Sequence, residues 1–145
     1  MSGNGEIRSY RDLLVWQKGI ALAKQIYGMT RAFPADERYG LTAQMRRAVV
    51  SVPSNIAEGQ ARHGRREFVH FLSHAEGSLA ELDTQLALAV ELGYCRPSDA
   101  HGSIALVAEL QKMMASLRGK LAARLPTDDQ PLTARAGNYA LGTKH

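Results

Sequence analysis

The sequence predicts an all-α protein: an antiparallel up-down-up-down four-helix bundle whose second helix is kinked at Pro53. Three observations predict it. Four segments carry apolar residues at steps of three and four, the spacing that lines one face of a helix. Each segment is bounded by Pro or Gly, at Phe33-Pro34, His63-Gly64, Gly93 to Pro97, and Pro126. The chain is 45% hydrophobic but only 6% aromatic, with Leu and Ala dominant and β-branched runs short, which favours helix over strand.

The chain of 145 residues suits one domain. Residues 1–9 are Gly- and Ser-rich and expected to be loose, residues 10–125 form the bundle, and residues 126–145 read as a flexible tail. Apolar runs fall short of the ~18 residues that cross a bilayer, so no membrane contact is expected. The start has neither a basic nor an apolar segment, and the single Cys95 cannot form an internal disulfide. Both point to the reducing cytoplasm.

The first helix is expected from Tyr10 or Arg11 to Ala32. Leu13, Trp16, Ile20, Ala23 and Tyr27 form one apolar stripe; Val15, Leu22, Ile26 and Met29 form a second beside it. Together they cover about half the circumference, more than one bundle helix needs, so Val15, Leu22, Ile26 and Met29 are assigned to a contact with another chain. Pro34 ends this helix, and Asp36 or Glu37 suits the start of the next, which runs to Ala61. Pro53 removes the bond to the Val49 carbonyl and should bend it. His63-Gly64 closes it.

The third helix begins near Arg65 with an unbroken stripe of Phe68, Phe71, Leu72, Ala75, Leu79, Leu82, Leu86 and Ala89. Leu88 and Leu92 fall on another side and join the expected oligomer interface. Gly77 in mid-helix suggests close approach of a neighbouring helix, and Gly93 suits a left-handed cap. Pro97-Ser98-Asp99 starts the fourth helix, with Val107, Leu110, Met114, Leu117 and Leu121 as its stripe.

Residues 41–63 carry two ordered rows. Leu41, Met45, Ala48, Val49, Val52 and Ile56 are apolar. Gln44, Arg47, Ser51, Asn55, Glu58 and Arg62 are polar and lie about 110° around the helix from them. If the second and third helices are antiparallel about Gly64, facing residues have numbers summing to about 128–129. Gln44 then meets Gln85, Arg47 meets Glu81, Ser51 meets Ser78, Asn55 meets His74, and Glu58 meets His70. The expectation is a hydrogen-bonded polar seam that fixes register.

Net charge is +4 but uneven: residues 1–66 balance at +6, residues 67–99 at −5, and residues 100–126 at +3. Alternating charge suits helices lying side by side. It leaves a basic cluster, Arg62, His63, Arg65 and Arg66, able to attract phosphates, although an ordinary solvated turn has the same composition.

Several separated motifs agree in order and distance with one family. They are Leu14-Val-Trp-Gln-Lys18, Phe33-Pro34, Tyr39-Gly-Leu41, Gln44-Met-Arg-Arg-Ala48, Ser51-Val-Pro-Ser-Asn-Ile-Ala-Glu-Gly59, Glu67-Phe68 and Gly77-Ser-Leu-Ala-Glu-Leu82. Over about residues 10–95 the chain resembles the four-helix-bundle proteins encoded in intervening sequences of bacterial 23S ribosomal RNA genes. The resemblance implies an antiparallel left-handed bundle, closed pentameric rings and no established activity. A more distant relative is the accessory protein of diversity-generating retroelements, a basic pentamer that binds a reverse transcriptase and nucleic acid. That relation implies RNA or DNA as a partner.

Enzymatic readings are weak. Ser51, Ser54, Ser78 and His74 lack a strained elbow or an oxyanion-hole sequence. Gly59 and Gly64 lack the Lys-Ser/Thr sequel of a P-loop. His70 and His74, four residues apart with Asn55 and Glu58 opposite, have the spacing of a zinc pair. Paired helical imidazoles are more often hydrogen-bonded or exposed, so no metal and no cofactor are predicted. The expectation is a non-enzymatic homo-oligomeric adaptor, a pentamer, that contacts nucleic-acid backbone through Arg62, His63, Arg65 and Arg66. The competing expectation is a scaffold for a partner enzyme with no nucleic-acid contact.

Overall fold

A computed structural model describes residues 7–125. The predicted tail and most of the predicted loose start lie outside the described residues. Four helices follow one another: α1 (Leu14–Thr30), α2 (Leu41–Ala61), α3 (Arg65–Glu91) and α4 (Pro97–Ala122). Short 3-10 turns at Tyr10–Asp12 and Ala35–Glu37 precede α1 and α2, and no strand occurs among the described residues. Each helix packs on two others in the cyclic order α1, α2, α3, α4. The arrangement is a four-helix bundle.

The entries into α1 and α2 differ from expectation for local reasons. Asp12 Oδ2 accepts from the Arg8 and Ser9 amides at 2.8 and 3.2 Å, and Ser9 Oγ accepts from Arg11 N. This closes a 3-10 turn, and Leu13 leaves it extended (ψ 129°), so α1 starts only at Leu14. Glu37 does not open α2. Its Oε1 accepts from Leu41 N at 2.8 Å, so it caps α2 from the preceding turn. Its other oxygen accepts from Tyr94 Oη at 2.7 Å and ties the α3–α4 connection to the same cap.

The core contains Leu22, Ile26, Met45, Val49, Val52, Ile56, Leu72, Leu79, Leu82, Leu86, Leu110 and Met114, all fully enclosed. Burying one such side chain contributes about 1.5–3 kcal/mol. The core corrects the assignment of the two α1 stripes. Val15, Leu22 and Ile26 are enclosed by the protomer's own helices and offer no face to a second chain, while Met29 is half-buried against the same cluster. Ile20 and Tyr27 of the other stripe are the ones left at the surface, at 38% and 37% exposure. Two apolar stripes of equal quality flank each other on α1, and periodicity alone cannot rank them.

Proline inside α2 is accommodated by a glycine in α1. The helix runs unbroken through Pro53, which is buried. A Cβ on Gly19 would sit 3.4 Å from Pro53 Cβ and Cδ, so the missing side chain lets α1 approach the pyrrolidine ring. Gly77 does the opposite of what was expected: nothing lies within 4 Å of a Cβ placed there, and the residue is exposed. Gly93 takes the left-handed cap conformation at φ 75°.

For three of the four neighbouring pairs, two contacts along the helices pair residue numbers that rise on one helix with numbers that fall on the other. Gly19 meets Pro53 and Thr30 meets Arg46 between α1 and α2. Ser51 meets Ser78 and Gly59 meets Phe68 and Phe71 between α2 and α3. Lys18 meets Glu109 at 3.0 Å and Gln25 meets Ser103 at 2.8 Å between α1 and α4. Arg118 Nε reaches Glu76 Oε1 at 2.8 Å between α4 and α3.

Candidate nucleic-acid interface

The turn between α2 and α3 is three residues long and carries the basic cluster. Gly59 sets its position. A Cβ there would come within 2.7 Å of Phe71 Cβ and 3.1 Å of Phe68 Cδ1, so only glycine lets the end of α2 lie on the start of α3. The chain then leaves α2 through His63, which takes the left-handed conformation at φ 62°. Gly64 is extended at φ −130°. Of the pair His63-Gly64 expected to close α2, the histidine and not the glycine takes the conformation that favours glycine. For a side-chain-bearing residue it costs about 1–2 kcal/mol.

Gly64 is also the N-cap of α3 and has no side chain to accept from the first-turn amides. Arg65 and Arg66 occupy the first two positions of the helix and are exposed. Neither forms an ion pair among the described residues. Arg62 is engaged: its guanidinium is 2.9 Å from Glu58 Oε2 and lies over the Phe71 ring at 5.1 Å. Gly59, Gln60, His63, Gly64, Arg65 and Phe68 line a shallow depression of about 380 Å³. Open first-turn amides and the positive end of the helix dipole favour an anion beside these side chains, although Glu67 in the same turn opposes it.

The polar row is not the expected seam. One hydrogen bond crosses between α2 and α3, joining the hydroxyls of Ser51 and Ser78; Ser51 Oγ also lies 2.8 Å from the Ala48 carbonyl. Asn55, Glu58, Arg62, His70, His74, Glu81 and Gln85 bond along their own helices at a spacing of four. Asn55 Nδ2 donates to the Ser51 carbonyl at 2.8 Å, and Glu58 holds Arg62. His70 and His74 approach each other through Nε2 at 3.2 Å, and Gln85 Nε2 donates to Glu81 at 3.4 Å. No ion pair joins Arg47 to Glu81 among the described residues; both are exposed, as are Gln44 and Glu58. An exposed pair gains little from closing, which removes the reason to expect it. Gln85 is the buried member of the row, and its Oε1 finds no hydrogen-bond partner among the described residues.

An exposed apolar face, not predicted from the periodicity of either helix alone, lies along α1 and α2. The Arg46 guanidinium sits over the Tyr27 ring at 4.6 Å, Ile20 is two helical turns before Tyr27, and Val50 is one turn after Arg46 on α2 at 43% exposure. Leu88 and Leu92 on α3 are also exposed, at 46% and 50%.

The 23S rRNA-intervening sequence protein family matches this chain over residues 11–116. The chain belongs to that family. The match spans the described bundle from the first 3-10 turn to the last turns of α4. No match was found among curated proteins. A crystal structure of a protein with unknown function from the S23 ribosomal protein family of Bacteroides thetaiotaomicron is similar at TM-score 0.68 and 20% identity. The likeness covers 72% of this chain and 98% of that one, and at this identity it shows the shared fold. No helix among the described residues of this intervening-sequence protein is long and apolar enough to cross a membrane.

Proposed function

We propose that this intervening-sequence protein is a non-enzymatic cytoplasmic adaptor that assembles into a homopentameric ring and contacts the backbone of RNA or DNA through its α2–α3 turn. One observation carries the nucleic-acid reading: Arg65 and Arg66 stand exposed, and among the described residues no carboxylate pairs with them and no side chain caps the N-terminus of α3 that they occupy. His63 and Arg62 flank them. Contacts of this kind go to phosphates and carry little sequence preference.

The reading includes an up-down-up-down order of antiparallel helices, supported by the opposite senses of the contacts in three of the four neighbouring pairs. That order brings the start of α1 and the end of α4 to the end of the bundle that holds the turn. Arg11, Lys120 and Arg124 then add to the same positive surface. It also includes a bend of α2 at Pro53, where the Val49 carbonyl loses its helical donor.

The assembly reading rests on the exposed apolar residues Ile20, Tyr27 and Val50 of the α1–α2 face, with Leu88 and Leu92 as a second area. Titrating a fluorescent structured RNA and a duplex DNA with the protein at low salt tests the nucleic-acid reading. Saturable binding of either supports it. Absence of binding to both removes it and leaves a scaffold for a protein partner.

A further inference from the structure

We propose that His70 and His74 form a chelating site for a divalent transition-metal ion of the zinc type. The two histidines stand one turn apart on the exposed side of α3, well inside a helix that runs from Arg65 to Glu91. Their Nε2 atoms are 3.2 Å apart, with the rings edge to face and their centroids 4.6 Å apart. Zinc binds imidazole nitrogen at about 2.0–2.1 Å, so two such bonds at a tetrahedral angle hold the nitrogens about 3.3 Å apart. The helix therefore holds the pair at chelating distance before any ion arrives. A modest rotation of the exposed rings turns both lone pairs onto one ion.

A hydrogen bond between the two imidazoles accounts for the same contact. The two are alternatives that a metal titration separates. No group of three or more His, Cys, Asp or Glu able to hold a metal occurs among the described residues, so solvent or an outside ligand fills the remaining positions. Glu58, the nearest carboxylate of the α2 row in the expected register, is occupied by Arg62 at 2.9 Å. Two imidazoles without carboxylates favour Zn²⁺, Ni²⁺ or Cu²⁺ over Mg²⁺ or Ca²⁺, which take oxygen ligands. The site is independent of the nucleic-acid reading.

The test is calorimetric titration of chelator-stripped full-length protein with Zn²⁺ and, separately, Mg²⁺, alongside thermal unfolding. The expected result is one Zn²⁺ per chain, a rise in melting temperature with Zn²⁺ and none with Mg²⁺. His70→Ala and His74→Ala should each weaken Zn²⁺ binding by about a hundredfold, because the second ligand of a chelate binds intramolecularly. His101→Ala, on the exposed surface of α4, should leave it unchanged. Circular dichroism of each variant checks that the helices persist. Zn²⁺ affinity unchanged in either histidine variant, or no Zn²⁺ binding by the parent protein, would overturn the proposal.

Discussion

Gly59 lies so close to Phe71 that a Cβ at the glycine would be 2.7 Å from the Cβ of the aromatic residue. The contact pins the last turn of α2 to the first turns of α3 and so holds the basic turn in place. Overpacking of this kind costs about 1–3 kcal/mol, which sets the expectation for Gly59→Ala. Gly77→Ala should act in the other direction. Its site is open and helical, so the added methyl stabilises by about 0.4–1 kcal/mol. Urea unfolding of both variants gives the two signs directly.

Exposure separates the two stripes of α1, and substitution should do the same. Leu22 is fully buried, so Leu22→Glu places an unpaired charge in the core and should cost more than about 4 kcal/mol, enough to prevent folding. Ile20→Glu falls on the exposed face. It should leave the far-ultraviolet circular dichroism intact and lower the assembled mass in sedimentation. A sedimentation profile identical to the parent's would exclude this face as the contact between copies.

Arg47→Ala should change stability by no more than about 0.5 kcal/mol, the range of an exposed residue that has no ion-pair partner among the described residues. Ser78→Ala removes the one hydrogen bond of the row that spans α2 and α3, and should cost about 0.5–1.5 kcal/mol. Comparing their midpoints in denaturant distinguishes a single cross-helix bond from a charged seam.

The Glu37 carboxylate is held below the usual glutamate range, first by the Leu41 amide and then by the Tyr94 hydroxyl. Tyr94 is correspondingly raised by its bond to Glu37. A depressed carboxylate stabilises the fold above its unfolded pKa, and the contribution fades as pH falls through the folded value. The raised phenol stabilises below its own unfolded pKa and loses that effect as pH rises. The stability lost in Glu37→Ala should therefore be constant between about pH 5 and 9, and shrink on the acid side below about pH 4.3. Denaturant midpoints measured across pH for parent and variant check this. A difference that grew as pH fell would contradict it.

Most of the fold was legible because it depends on features that repeat along the chain. The bounds of α3 and α4 follow from a continuous leucine stripe and from Gly93 and Pro97, and the structure places them at Arg65–Glu91 and Pro97–Ala122. What periodicity could not supply was the choice between two equal stripes, as on α1, or the fate of side chains long enough to reach water, as with Arg47 and Glu81. The start of α2 was misplaced because Glu37 is a good first-turn residue and also a good cap from outside. The Gly19–Pro53 pairing joins residues far apart in sequence, and each alone reads as a helix breaker. At the basic turn the residue types were readable. That Arg62 is paired with Glu58, while Arg65 and Arg66 have no carboxylate partner among the described residues, follows only from their placement.

The most direct test of the central claim is the salt dependence of RNA binding by the parent protein and by Arg65→Glu/Arg66→Glu. Anisotropy titrations over a salt series give the slope of log K against log salt, to which each phosphate contact contributes about 0.7–0.9. The account predicts a steep slope for the parent, and for the double variant weaker binding with a slope smaller by at least about 1.4, the share of two lost contacts. Equal slopes and affinities in the two proteins, or no binding by the parent at low salt, would contradict it.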